Sequence, residues 1–483
     1  MFSLIKSKNK KFLRWLLICM LTACLASCSS ATRKAAAPPI EVPKTFSRTG
    51  KDRLLEKWWT TLNDPKLDEL IETALNDNLN LQIVWDRLEQ SRAVARKKGA
   101  DLFPKVDAKG LISHTTRKNS GDDTKNTDLF SLGVVAGYEL DLWGRISSAS
   151  DAADLDLLAS REDLYASAIS LTAEVAAVWY RLVEKAGQDE LLKKQIKVQE
   201  DYLEIVTMRF RQGQVSSADV HQQRQSLEST KEDKIKIESD IKVLEHQLAV
   251  LLGKAPGSIA IPMISNLPDI PPLPDTGLPA ELIQKRPDIR SAYLSVQADD
   301  KRVAEAIANR FPKISLSASV ETVDSKISDL FQNWIATLAG NLLMPIFDGD
   351  SRAAEVERTK AVRSESINKY GQVILDALKE VEDALTREAL QIKRLESQER
   401  QSDLSKKSVE LIRESYIHGA TDFLRLLTTL SNHHNLERNQ LTAERELIEY
   451  RINLCRALGG GWEMKRATGK KSEYSLELQE NKE

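Results

Sequence analysis

Two hydrophobic periods alternate along this chain, and the change between them falls at a Phe-Pro pair in each half. After Phe103-Pro104, and again after Phe311-Pro312, the helical period stops, because proline breaks a helix, and strict alternation replaces it. Over 130–142, Phe130, Leu132, Val134, Ala136, Tyr138, Leu140 and Leu142 share one face, while Ser131, Gly133, Gly137, Glu139 and Asp141 occupy most of the other. The same pattern runs through 314–321 and 334–344, and more weakly through 105–113. A period of two predicts strands. Half-buried strands of a soluble sheet would show it too. Here, however, each strand is near the roughly 9–11 residues that cross a bilayer. Polar connections at 113–128 and 321–333 suit the outer loops of a bacterial barrel. Four strands cannot close a barrel alone, so copies of the chain must combine, and three would supply twelve strands.

The other segments read as helices of unusual length. Residues 147–208 and 351–416 contain no proline and a single glycine each, Gly187 and Gly371. At 1.5 Å per residue such helices reach roughly 90 Å. In the second, Ile374, Leu378, Val381, Leu385, Ile392 and Leu395 keep a 4-3 spacing with Glu388 in one slot, which predicts a coiled-coil seam. The two halves also share landmarks in one order. Leu102-Phe103-Pro104-Lys105-Val106 returns as Arg310-Phe311-Pro312-Lys313-Ile314, and Asn78-Leu79-Asn80-Leu81 falls opposite Arg286-Pro287-Asp288-Ile289. Glu174-Val175 returns as Glu380-Val381, Gly213 as Gly419, and Leu251-Leu252-Gly253 as Ala457-Leu458-Gly459. An internal duplication is expected.

The N-terminus changes the picture from fold to address. Lys6, Lys8, Lys10, Lys11 and Arg14 precede an apolar run from Trp15 to Ala26, the layout of an export signal. It ends in Leu25-Ala26-Ser27-Cys28, which resembles a bacterial lipobox; Leu21-Thr22-Ala23-Cys24 is the alternative. The expected modification is a covalent lipid on Cys28, or on Cys24, with no other cofactor. Three of the four cysteines lie in this region, leaving Cys455 alone in the body, so no internal disulfide and no cysteine metal site can form. A net charge of −2 over 483 residues argues against a nucleic-acid partner. No body segment is apolar enough for a transmembrane helix.

At these landmarks the chain resembles the TolC/OprM family of outer-membrane efflux proteins, in the lipoprotein branch that serves resistance-nodulation-division pumps. The likeness is carried by Trp58-Trp59, Asp64-Pro65 and Leu67, by Tyr138-Glu139-Leu140-Asp141-Leu142-Trp143-Gly144-Arg145, by Arg286-Pro287-Asp288-Ile289, by Pro345-Ile346-Phe347-Asp348-Gly349, and by Ala457-Leu458-Gly459-Gly460-Gly461-Trp462. The resemblance implies an α+β fold: a long-helix coiled-coil α-barrel continued by a transmembrane β-barrel, four strands per subunit and twelve per homotrimer. It implies outer-membrane lipid around the barrel, and a periplasmic adaptor protein and inner-membrane pump at the far end. It places a periplasmic gate just after the Gly419 turn. There Leu424 matches an apolar ring, while Thr428 and Arg425 stand where aspartates are found in relatives. Asp422 and Asp219 are the nearby acidic groups, and Arg425 is placed to pair with either across subunits. Asp422 also suits a helix N-cap. Trp143 and Arg145, at a strand end, suit the membrane interface.

The expected divisions are a lipoprotein signal peptide (1–27), a lipid-anchored linker (28–56), a first repeat (57–254) with strands at about 104–142, a proline-rich connection (255–280), a second repeat (281–462) with strands at about 313–346, and a disordered charged tail (463–483). An enzyme is not expected. No Gly-rich phosphate loop opens a helix, and His433-His434 point about 100° apart. A protein-export channel or a structural envelope lipoprotein are the alternative functions.

Overall fold

The computed structural model describes residues 39–52, 55–118, 120–121, 124–258, 266–459 and 464. The signal peptide, Cys24, Cys28, linker residues 28–38 and 53–54, Gly460-Gly461-Trp462 and nearly all of the tail lie outside them. The chain divides into two units, Met1–Glu41 and Val42–Glu483, and all the described helices and strands belong to the second.

They run α1 (Pro65–Asp77), α2 (Leu79–Gly99), β1 (Lys105–Arg117), β2 (Lys125–Leu140), α3 (Arg145–Arg211), α4 (Ser217–Leu251), α5 (Pro279–Lys285), α6 (Pro287–Ala308), β3 (Lys313–Asp324), β4 (Trp334–Leu343), α7 (Ser351–Ile417) and α8 (Phe423–Leu458). At 67 residues each, α3 and α7 are about 100 Å long. The strands form one antiparallel sheet in the order β1-β2-β3-β4. Helices follow the same order beside it: α2 packs on α3, α3 on α6, and α6 on α7. Farther from the sheet, α4 and α8 take over as the partners of α3 and α7, and α3 touches α8.

The strands outrun their apolar alternation. β1 continues to Arg117 and β2 begins at Lys125, so the connection expected over 113–128 shrinks to residues 118–124. Polar cross-strand pairs carry the extension: His114 faces Asp128, with Nδ1 2.7 Å from Oδ1, and Thr115 faces Thr127. Such pairs stabilise a ladder as apolar ones do. β3 likewise runs on to Asp324, and β4 stops at Leu343, short of the expected end.

The core lies where α1 packs against α3. Trp59, Leu67, Ile71, Trp179, Leu182, Leu248 and Ile452 are buried there together. Asp64 fixes the geometry: one carboxylate oxygen accepts the Lys66 and Leu67 N–H groups at 3.0 and 3.1 Å, capping α1 ahead of Pro65, and the other accepts Trp179 Nε1 at 2.7 Å.

The seam of α7 departs from its expected course. Ile374, Val381 and Leu385 are buried as predicted, but Ile392 is exposed, Leu395 only half-buried, and Gln391 is buried instead, donating to the Ala443 carbonyl at 2.8 Å. A straight helix of 3.6 residues per turn drifts away from a 3.5 repeat, which moves the buried stripe. Glu388 holds its slot because Arg451 grips it at 2.7 and 2.9 Å while donating to the carbonyls of Pro271 and Pro272. The polar member of the seam therefore ties the proline-rich connection to α7 and α8.

Corresponding landmarks make corresponding contacts within each half. Asn78 caps α2 and donates Nδ2 to the Leu251 carbonyl at 2.8 Å, while Arg286 donates Nη1 to the Ala457 carbonyl at 2.9 Å. Gly253 has φ +69°, and a Cβ there would lie 2.1 Å from the Asp77 carbonyl oxygen. Gly213 also has positive φ, +72°, but a Cβ there meets nothing within 4 Å. Gly253→Ala should therefore cost about 1–3 kcal/mol more than Gly213→Ala, read as a larger fall in the thermal midpoint. Equal midpoints would show that the α1–α4 approach is not close.

Candidate functional site

Two regions carry the candidate residues: the sheet with its exit into α3, and the far tip where the long helices turn. In the sheet, register sorts side chains by polarity. Val106, Ile112, Leu132, Val134, Leu316, Val320, Leu338 and Leu342 lie on one face, and Lys105, Asp107, Ser131, Glu139, Ser317, Ser319 and Asn341 on the other. No helix is laid across either face among the described residues, and the apolar side chains stand open, Leu338 at 83% and Ile112 at 76% exposure. The apolar stretch Phe130–Leu140 of β2 would span about 26 Å at a tilt of 45°, close to the roughly 25 Å apolar band of an outer-membrane barrel. Gly133 lets β2 and β3 close up: a Cβ there would lie 2.7 Å from that of Glu321.

The exit from β2 is tightly built. Arg145 forks onto Glu139 at 3.0 and 2.9 Å. Asp141 accepts the Ile146 and Ser147 N–H groups at 2.9 and 2.8 Å and so caps α3 from before its first turn. Burial pushes the Asp141 carboxyl up, but those donors outweigh it and hold it below the usual range. Trp143 donates Nε1 to the Pro312 carbonyl at 2.7 Å and stacks on Phe311 at 5.0 Å. It thus joins the exit of the first strand pair to the entry of the second, a contact not anticipated from its position alone.

At the tip, α3 and α7 end in the same device. The Gly213 N–H donates to the Phe210 carbonyl and that of Gln214 to Arg209, while Gly419 donates to Tyr416 and Ala420 to Ser415. This is the αL termination that glycine favours. The next helices start on acids. Ser216 and Asp219 form a reciprocal capping box on α4, and Asp422 accepts the Arg425 N–H at 2.8 Å on α8. Asp219 and Asp422 are thereby engaged as caps. Leu424, Arg425 and Thr428 lie exposed on one side of α8, whereas Phe423, Leu426 and Leu427 turn inward against Val206, Val220 and Tyr416. The Thr428 hydroxyl donates to the Leu424 carbonyl, and the Arg425 side chain makes no ion pair among the described residues. Leu424 and Thr428 border a polar groove between α4 and α8 with Ser226, Asn432 and Asn435.

Arg209 was not legible as a site residue. Its guanidinium lies 4.4 Å from the centre of the Tyr416 ring and donates to the Tyr416 and Ile417 carbonyls at 3.2 and 3.4 Å, clasping one turn to the other. The only signal was its place in the last turn before Gly213, with Tyr416 in the last turn before Gly419.

Above the tip, α3 and α8 meet through polar groups. Gln195 donates to the His434 carbonyl at 3.3 Å and to Glu437 at 3.1 Å, Arg438 donates to Gln195 at 3.0 Å, and Gln223 donates to Gln199 at 2.6 Å. Burial pushes His434 down to about 4, helped by neighbouring His433 and Arg438. The unfolded chain takes up this proton near pH 6.5 and the folded chain only near 4. Stability is therefore steady above pH 6.5 and falls as pH drops from there toward 4, by up to about 3 kcal/mol. His434→Gln should flatten the fall of the thermal midpoint between pH 7 and 4.5; an unchanged slope would assign it to other groups.

Comparisons with known proteins agree with this geometry. The family model described as outer membrane efflux protein matches residues 70–254 and again 278–460. The chain is 28% identical over 423 residues to the pyoverdine export outer membrane protein OpmQ of Pseudomonas aeruginosa, covering 85% of this chain and 89% of that one. It is 27% identical over 458 residues to the probable outer membrane lipoprotein SilC of Salmonella typhimurium, covering 91% and 96%. The solved outer-membrane channel OprN superposes with a TM-score of 0.82 at 27% identity, over 89% of this chain and all of that one. The chain belongs to the outer membrane efflux protein family, and it is an efflux channel subunit of the outer membrane.

Proposed function

We propose that three copies of this subunit close one conduit, a twelve-stranded barrel in the outer membrane continued by a helical barrel through the periplasm, and that it carries drugs or other small compounds. The carrying observation is the sheet: four strands with two open edges and one uncovered apolar face. Such a sheet is stable in lipid only when its edges are paired. The two matches to one family model and the paired landmarks support two internal repeats, each giving two strands and two long helices. A periplasmic adaptor and an inner-membrane pump engage the tip. The lipid on Cys28 anchors the N-terminus, and the linker tethers it.

The gate is assigned to the exposed side of α8. A ring of Leu424 from three copies narrows and dewets the pore, and Arg425 supplies charge beside it. Asp422 and Asp219 remain within reach of an Arg425 from another copy while capping their helices. Thr428, bonded to its own helix, contributes a neutral rung. Trp143 and Arg145 mark the interface of the outer membrane at the strand end.

Cells lacking this gene should accumulate dyes and antibiotics that the re-expressed protein clears; no change on deletion would turn the reading toward protein export. Leu424→Ala and Arg425→Ala should each raise entry of large antibiotics several-fold in cells that express them. Unaltered permeability in both would remove these residues from the gate.

A further inference from the structure

Resting on the barrel proposed above, we infer that Arg117 and Lys125 make the outer mouth of the conduit an anion-attracting ring, and that the cargo it favours is anionic.

The mouth is a hairpin that outgrows the sheet. β3 ends at Asp324, opposite Phe130, while β1 and β2 go on pairing from Ser113–Leu129 to Arg117–Lys125. From Phe130 to Lys125 the strand rises about 12 Å beyond the apolar band at a tilt of 45°. The register runs on without a skipped residue, so each face of the sheet continues into the hairpin. His114, Thr116, Asn126 and Asp128 extend the apolar, lipid-facing side. Thr115, Arg117, Lys125 and Thr127 extend the polar side, which lines the conduit.

Below the hairpin, charge on the polar side is balanced. Lys105, Lys109 and Lys313 stand there with Asp107, Glu139 and Glu321, three of each sign. Lys105 also pairs with Asp101 at 2.7 Å, and Glu139 with Arg145 at 2.9 Å. Lys109 and Glu321 flank Gly133, which places no side chain between them. Arg117 and Lys125 break this pattern. They face each other in one cross-strand pair, and neither makes an ion pair among the described residues. Like charges so placed weaken a ladder. The nearest acid of β3, Asp324, belongs to the lipid-facing side and accepts the Lys326 N–H at 3.1 Å. Three copies bring these cations together around one opening, where low-dielectric walls focus their field. Rings of Arg and Lys of this kind select anions. Lipid phosphates are the other anions at this height. The side turned to them, however, holds the bonded His114–Asp128 pair and no lysine or arginine of β1 or β2.

The test is the reversal potential of the full-length protein in planar bilayers across a potassium chloride gradient. Arg117→Gln with Lys125→Gln should lower the chloride-to-potassium permeability ratio several-fold, and Arg117→Glu with Lys125→Glu should lower it further. His114→Gln with Asp128→Asn, on the opposite side of the hairpin, should leave it unchanged. In cells, the glutamine pair should retain an anionic dye such as fluorescein while still clearing cationic ethidium. Arg117→Gln alone serves should the double variant fail to assemble. An equal ratio in every variant at normal conductance would overturn the proposal, as would a shift produced by the His114–Asp128 variant alone. An unchanged ratio with weakened retention of lipopolysaccharide would give the pair to lipid phosphates and overturn it too. A wild-type protein that forms no conducting channel would instead remove the conduit reading on which the proposal rests.

Discussion

A backbone N–H or C=O in hydrocarbon has no water to bond, so every strand that enters a bilayer must find a neighbour on both sides. This subunit meets the requirement for β2 and β3 and leaves it unmet for the outer edges of β1 and β4. The rest of the architecture is arranged around that debt. The helices stand in the same order as the strands they continue, α2, α3, α6 and α7 beside β1, β2, β3 and β4. The strand-to-helix exit has to hold that order, which accounts for the density of bonds there: Arg145 on Glu139, Asp141 on the first turn of α3, and Trp143 on Phe311 and Pro312.

Much of this was legible in the sequence because two physical periods leave different traces. Alternation fixed which faces of β2, β3 and β4 are apolar, and proline-free runs fixed the long helices. The strand ends escaped, because His114, Thr115 and Asp128 continue the ladder with polar pairs that carry no alternation signal. The seam beyond Leu385 escaped for a different reason. Strict heptad counting assumes a supercoil that follows it, and the helix turns Gln391 inward in place of Ile392. At the tip, spacing could find Leu424, Arg425 and Thr428 and the Asp422 cap, but it did not show that Asp219 is taken up in a capping box with Ser216. Arg209 was hidden because its partner Tyr416 lies about two hundred residues away.

The chemistry that joins the long helices changes along their length. Around the sheet exit and the α1–α3 core, contacts are apolar or charge-clamped, and the Glu388–Arg451 pair is buried with its lone pairs and donors satisfied. Breaking such a pair leaves a charge in a dry place and costs several kcal/mol. Toward the tip, α3 and α8 touch through Gln195, His434, Glu437 and Arg438, and α3 and α4 through Gln199 and Gln223. Amide and carboxylate bonds of this kind contribute about 1 kcal/mol net each, and water can replace them if the helices part. That polar stretch gives way at the tip itself to a second apolar cluster, where Phe423, Leu426 and Leu427 pack on Val206, Val220 and Tyr416. The helices are thus held by apolar packing toward the sheet and again at the tip, with water-exchangeable polar contacts between, set by which side chains line them along their length.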